Sequence, residues 1–219
     1  MTAKRTLTEA SCPVCTHVFT YQTVTRPEPE SGQDADFCPK SLDSELLAGY
    51  IVQCPRCRFC VYQKDFHSTL GGREKRRLEE LLLRQGEPLL NAPINGAQKY
   101  EHAIRCYERL GRKTYFLATV HLRGSWWCRA CRDPAGERHF HEGAVQLLQR
   151  ALHEDGQVTP DEIAVITYLI GELSRRLGRH QEASEWFEQV HDLVADSTEQ
   201  KWLIDLTEQQ KELNSNTIN

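Results

Sequence analysis

The sequence predicts an α+β chain, with a small β unit at the N-terminus and an all-α stack after it. Three observations predict this. Two matched Cys-Pro-x-Cys motifs, Cys12-Pro13-Val14-Cys15 and Cys54-Pro55-Arg56-Cys57, stand in the first quarter of the chain beside short aromatic and β-branched runs. From Gly72 onward, leucine-rich patterns with helical spacing take over. Within that second part a two-helix pattern recurs, and its marker alanines Ala103, Ala144 and Ala183 lie 41 and 39 residues apart. The expected division is a β unit over 1–70, a leading helix and loop over 71–96, and helical repeats with a C-terminal capping helix over 97–219.

The two motifs carry the clearest chemistry. A Zn²⁺ ion takes four soft ligands in a tetrahedron. Two residues between cysteines let one tight turn aim both thiolates at one ion, and proline fixes that turn's φ. His17 to Val24 reads as a strand after the first motif. Arg26 to Asp36 reads as a loop. Tyr50-Ile51-Val52 leads into the second motif, and Phe59 to Tyr62 leaves it as a third short strand. This is the layout of a zinc ribbon. One structural Zn²⁺ is expected on Cys12, Cys15, Cys54 and Cys57, with no open position for water or substrate. A redox Cys-x-x-Cys belongs at the strand-to-helix turn of a βαβ unit, and no such pattern follows either motif. Cys38 reads as a loop thiol and Cys60 as a strand thiol.

Composition narrows the classes further. The chain has 219 residues, 39% hydrophobic and 26% charged, which is ordinary for a globular protein with two small domains. Nine cysteines is an odd number. That suits metal and free thiols in a reducing compartment better than a disulfide framework, so a cytoplasmic location is expected. No apolar run reaches eighteen residues, so no membrane span is expected. Net charge is −4, and residues 1–70 hold seven Lys or Arg against eight Asp or Glu. Phosphate contacts need a basic face, and only Arg56, Arg58 and Lys64 offer a small one. Nucleic-acid binding through the ribbon is therefore the second reading.

In the helical part, Arg73 to Gln85 places Leu78, Leu81 and Leu82 on one face, ended by Gly86 and Pro88. Ile163, Ile166, Ile170, Leu173 and Leu177 step by three and four. Leu177-Gly178-Arg179-His180 makes a turn, and Ala183, Phe187 and Val190 face back. These residues, with Gly171, resemble the tetratricopeptide repeat. A second unit matches through Gly124, Ala144 and Ala151, with a longer turn over Arg132 to Arg138. A last helix near Glu199 to Leu213 presents Trp202, Leu203 and Leu206 and covers the end of the stack. By that resemblance, His121, Ser125, Cys128 and Arg129 line the concave face in one unit, and Tyr168, Glu172, Arg175 and Arg176 in the next. A protein or peptide partner is expected there. Arg129, Arg175 and Arg176 would engage its carboxylate, with Tyr168 and His121 as flat neighbours.

A third pair, Cys128-Arg129-Ala130-Cys131, precedes His139 and His141. Two Cys and two His can form a zinc site. This pair lacks a shaping proline and ends an amphipathic helix, so no metal is expected on it. No nucleophile stands with a base and an orienting group, so the chain reads as non-enzymatic.

The whole order resembles a bacterial family known as domain of unknown function 2225, a Cys-Pro-x-Cys ribbon placed before tetratricopeptide-like helices. The resemblance rests on Cys12-Pro13-Val14-Cys15, Asp36-Phe37, Val52-Gln53-Cys54-Pro55-Arg56-Cys57, Ala103–Tyr107 and Gly124–Trp127. It covers most of residues 11–190. After the second motif this chain has Arg58-Phe59-Cys60 where a glycine and an aromatic are usual. The resemblance implies architecture and metal and supplies no activity.

Overall fold

The computed structural model describes residues 4–25, 32–83, 95–154, 158–194 and 200–218. Its N-terminal part is built from two separate antiparallel pairs. Strand β1 (Lys4–Ser11) pairs with β2 (Val18–Thr25), from Ser11 opposite Val18 outward to Lys4 opposite Thr25. β2 falls where the aromatic run predicted it. β1 is new, because its sequence carries no apolar face to signal a strand: Leu7 is 72% exposed. Threonines tie this pair together instead. Thr23 Oγ1 donates to the Thr6 carbonyl at 3.0 Å, and Thr8 donates to Thr23 at 3.4 Å.

The strand expected at Tyr50-Ile51-Val52 forms one residue later, and a short helix precedes it. Asp43 accepts from the Leu46 amide at 2.8 Å and caps a short helix, α1 (Ser44–Gly49), which buries Leu46 and Leu47. Strands β3 (Ile51–Gln53) and β4 (Cys60–Tyr62) then flank the second motif, with Gln53 opposite Cys60 and Ile51 opposite Tyr62. Helices α2 (Gln63–Phe66) and α3 (Gly72–Leu83) follow. The expected stop at Gly86 and Pro88 lies outside the described residues, as does most of the Arg26–Asp36 loop.

Six longer helices make up the rest: α4 (Gly96–Arg109), α5 (Thr114–Ala130), α6 (Pro134–His153), α7 (Pro160–Arg176), α8 (His180–Val194) and α9 (Lys201–Ile218). Local chemistry sets their starts. Asn95 and Gln98 form a capping box on α4, and Thr159 and Glu162 form one on α7. Asp133 accepts from the Gly136 amide and Pro134 opens α6. The predicted long turn over Arg132–Arg138 is thus a tight one, because Arg132 takes a left-handed φ of 57° and the helix begins two residues later.

Helices α5 with α6, and α7 with α8, form hairpins around the same device. A glycine in the first helix receives an aromatic ring from the second. A Cβ at Gly124 would lie 2.6 Å from the Phe140 ring, and one at Gly171 would lie 2.7 Å from the Phe187 ring. Each ring follows its glycine by 16 residues. The packing register therefore matches Phe140 with Phe187. The alanines used to align the units, Ala144 and Ala183, do not occupy matching places. Gly171→Ala is expected to destabilise the protein by about 1–3 kcal/mol through overpacking, although helix propensity alone favours alanine by about 1 kcal/mol. A urea midpoint at or above wild type would show that the ring yields without cost.

Two cores result. One runs from the ribbon into the helices: Phe59, Val61 and Phe66 join Leu78, Tyr100, Tyr107 and Val120. The other lies among α5 to α9, around Ile166, Tyr168, Leu173, Phe187 and Leu203. Hydrogen bonds stitch the first core. Tyr100 donates to the Leu47 carbonyl at 2.8 Å, and the Tyr107 hydroxyl accepts from the Tyr62 amide at 2.8 Å while donating to Asp65 at 2.5 Å. Among the described residues no helix is long and apolar enough to cross a membrane.

Candidate metal centre and groove cluster

The two Cys-Pro-x-Cys turns are built alike. Cys12 N donates to the His17 carbonyl and Cys54 N to the Phe59 carbonyl, both at 2.9 Å. Thr16 N donates to the Cys12 carbonyl and Arg58 N to the Cys54 carbonyl, again at 2.9 Å. The residue after each motif is left-handed, Thr16 at φ 60° and Arg58 at φ 61°. Glycine takes this φ without strain, and here Thr16 and Arg58 take it instead.

The sulfur atoms of Cys12, Cys15, Cys54 and Cys57 all lie within 4.8 Å of one another. Cys12 and Cys57 are 3.6 Å apart, and so are Cys15 and Cys54. A tetrahedron with metal–sulfur bonds of about 2.3 Å has edges of about 3.8 Å, so the donor set fits one ion. Four sulfurs in this geometry suit zinc or iron. Three of the four cysteines are buried and Cys15 is half-buried. Crowding polarises the set: bonds from Cys12 and Cys57 hold Cys54 far below the ordinary 9.0 of a thiol, while Cys12 is pushed up to about 12 mainly by donating to Cys54. A cation at the centre replaces those shared protons.

Burial keeps the thiols of Cys38, Cys60, Cys106 and Cys128 protonated. Burial, and then Asp36, pushes Cys38 up to about 12. Cys60 is buried and its thiol donates to the Lys99 carbonyl at 3.3 Å. Cys128 is buried, Cys131 is exposed, and His139 pairs with Glu101 at 2.7 Å. His141 is buried 3.8 Å from Glu137, and burial lowers its pKa to about 3. Among the described residues, the group of possible ligands close enough to share an ion is the four ribbon cysteines.

The second cluster lies on the helical face where a groove was expected. Arg129 Nη1 meets Asp34 at 2.9 Å and its Nε meets Glu137 at 2.7 Å; its Nη2 contacts Asp36. Arg176 reaches Asp34 at 3.7 Å and Glu172 at 2.6 Å, and Arg175 reaches Glu172 at 2.8 Å. The Tyr168 hydroxyl donates to the Ala35 carbonyl at 2.9 Å, and the Trp126 indole donates to Asp36 at 3.1 Å. Phe37, at φ 64°, turns its ring onto Tyr168 and Trp202. The carboxylates that these arginines meet belong to this chain.

Segment Asp34–Phe37 thus lies against that helical face, reaching across from the ribbon side of the molecule. Three arginines there face four carboxylates, Asp34, Asp36, Glu137 and Glu172, so the cluster is not a net cationic patch. Asp36 has no exposed surface. Burial alone would raise its pKa, but the Arg129 hydrogen bond and the Arg176 charge outweigh it and hold the carboxyl below the ordinary 3.8. The structure gathers Arg129, Tyr168, Arg175 and Arg176 and leaves His121 apart. The His121 ring is turned against Gly143 and Phe140, and burial lowers its pKa to about 4. Asp34, Asp36, Glu137 and Trp126 are the members that spacing did not single out as groove residues. Asp36-Phe37 stood out only as part of the family resemblance.

Comparison with curated proteins and comparison with solved structures both give no match. A family model described as "Uncharacterized protein conserved in bacteria (DUF2225)" matches residues 6–214, from β1 to α9 and so across both clusters, and the chain belongs to that family.

Proposed function

We propose that the protein is a non-enzymatic, zinc-binding interaction module, or adaptor, that takes a protein segment in the groove of its tetratricopeptide-like helices. The ribbon zinc is structural, since four thiolates fill its coordination sphere. One observation carries the groove reading: Asp34-Ala35-Asp36-Phe37 is seated there as a short turn, held by arginine forks, a tyrosine hydroxyl and an aromatic contact. A built-in segment defines what a partner in that place must offer, namely two acidic side chains and an aromatic one. Bidentate arginine suits such a ligand.

The test uses a fluorescent peptide, acetyl-Gln-Asp-Ala-Asp-Phe-amide, with the sequence of Gln33–Phe37. Zinc-loaded protein carrying Asp36→Ala and Phe37→Ala is expected to bind it saturably by anisotropy. Wild type, whose groove is filled, is expected to bind at least tenfold more weakly. Adding Arg129→Gln to the double variant is expected to abolish binding. A folded double variant that ignores the peptide overturns the reading.

A further inference from the structure

A separate cleft of about 410 Å³ opens where the ribbon meets α5, between the Phe37–Leu42 loop, α1, α2 and α5. That volume is within the range of small-molecule sites, which favour junctions between structural units. Its floor is apolar, with Leu42 and the fully buried Leu47. Phe37 and Trp126 supply flat walls. Two cations, Lys64 and Arg123, stand at its edge, and no carboxylate is among the described residues that line it. The acid nearest in sequence, Asp65, is engaged elsewhere, by Tyr107 and Arg112. Arg123 lies over the Tyr62 ring at 5.1 Å and forms no ion pair with a described carboxylate. The Tyr62 residue is only 5% exposed, and its hydroxyl has no hydrogen-bond partner among the described residues.

This contrasts with the groove cluster, where every arginine has its carboxylate. The Tyr62 hydroxyl makes no well-formed hydrogen bond and faces Arg123, so the cleft presents a phenol and two cations with no carboxylate among its described lining residues. We propose that this cleft binds a small amphipathic organic anion. Its acidic head would lie against Lys64, Arg123 and the Tyr62 hydroxyl, and its flat apolar body against Leu42 and Trp126. Recognition is by charge and shape: the aromatic wall takes the body, and the absence of lining acids excludes cations. The site stands beside the Asp36 clamp and shares Phe37 and Trp126 with it, so it is tested on protein with no partner bound there.

The probe is 8-anilinonaphthalene-1-sulfonate, titrated into the full-length zinc-loaded protein and followed by its fluorescence. One saturable site per chain is expected, with displacement by 1-naphthoate and by 1-naphthyl phosphate. The two competitors distinguish a carboxylate head from a phosphate head. Lys64→Gln with Arg123→Gln is expected to weaken binding at least tenfold. Both side chains are exposed, and near-ultraviolet circular dichroism verifies that packing is kept. Arg123→Lys, which keeps the charge, is expected to bind within about threefold of wild type. The neutral analogue N-phenyl-1-naphthylamine is expected to bind at least tenfold more weakly than the sulfonate. Non-saturable binding, an undiminished signal in the double variant, or equal affinity for the neutral analogue overturns the proposal.

Discussion

Cys54→Ser protein is expected to carry no zinc by elemental analysis, against one ion per chain in wild type. The motive is the closed four-sulfur set, in which every sulfur lies within 4.8 Å of the others. Serine puts a neutral hydroxyl where the set has a thiolate, removing one of the four soft charged donors. The free energy of binding structural zinc is folding free energy, about 10–16 kcal/mol in isolated zinc-binding peptides. Here the ribbon also rests on Tyr100 and Tyr107 of α4, so the loss is expected to be smaller, on the order of 5 kcal/mol. The second core contains none of the four ligands. Helical circular dichroism should therefore survive in the variant while limited proteolysis begins within residues 1–70. Zinc affinity should also fall as pH drops, because each thiolate ligand must lose its proton. Wild-type protein free of metal, or a variant with undiminished zinc, sinks the assignment.

Asp36→Asn is expected to be nearly as damaging, although no metal is touched. The change leaves Arg129 with less charge to meet it and the Trp126 indole with a weaker acceptor. Breaking a buried ion pair from one side costs about 3–5 kcal/mol. Asp34 and Glu137 still partner Arg129, so the lower end is expected, about 3 kcal/mol. For a chain of this length that is a fall in Tm of roughly 6–12 °C. The pH sign follows from the depressed carboxyl. Its contribution is present above the unfolded value near 3.8 and is lost as pH falls through the lower folded value. Wild type and Asp36→Asn should therefore converge in stability under strong acid. An unchanged Tm at pH 7 would mean that the segment rests on the helices without holding them.

Some of this was legible in the sequence for plain reasons. Cys12, Cys15, Cys54 and Cys57 declare themselves because a metal needs fixed spacings, and spacing is what a sequence records. The helices from Gly96 onward were legible through their apolar period. β1 was not, because its stabilisation is a threonine pairing with Leu7 left in solvent. Nor was the hairpin register, since alanine identity repeats at Ala144 and Ala183 while the rings that set the packing are Phe140 and Phe187. Arg129, Arg175 and Arg176 were named by position, but the carboxylates they meet were not. Asp36 and Arg129 are 93 residues apart, and no local pattern announces a pairing across that separation.

The seat of Asp34–Phe37 also sets an order of events during synthesis. The fourth metal ligand is Cys57, so the ribbon can load its ion early. The Ala35 carbonyl waits for Tyr168, 133 residues later. At ~5–20 residues per second, that is roughly 7 to 27 s in which the acidic turn exists without its tyrosine anchor. Docking of this turn therefore waits for α7, long after the four metal ligands have been made.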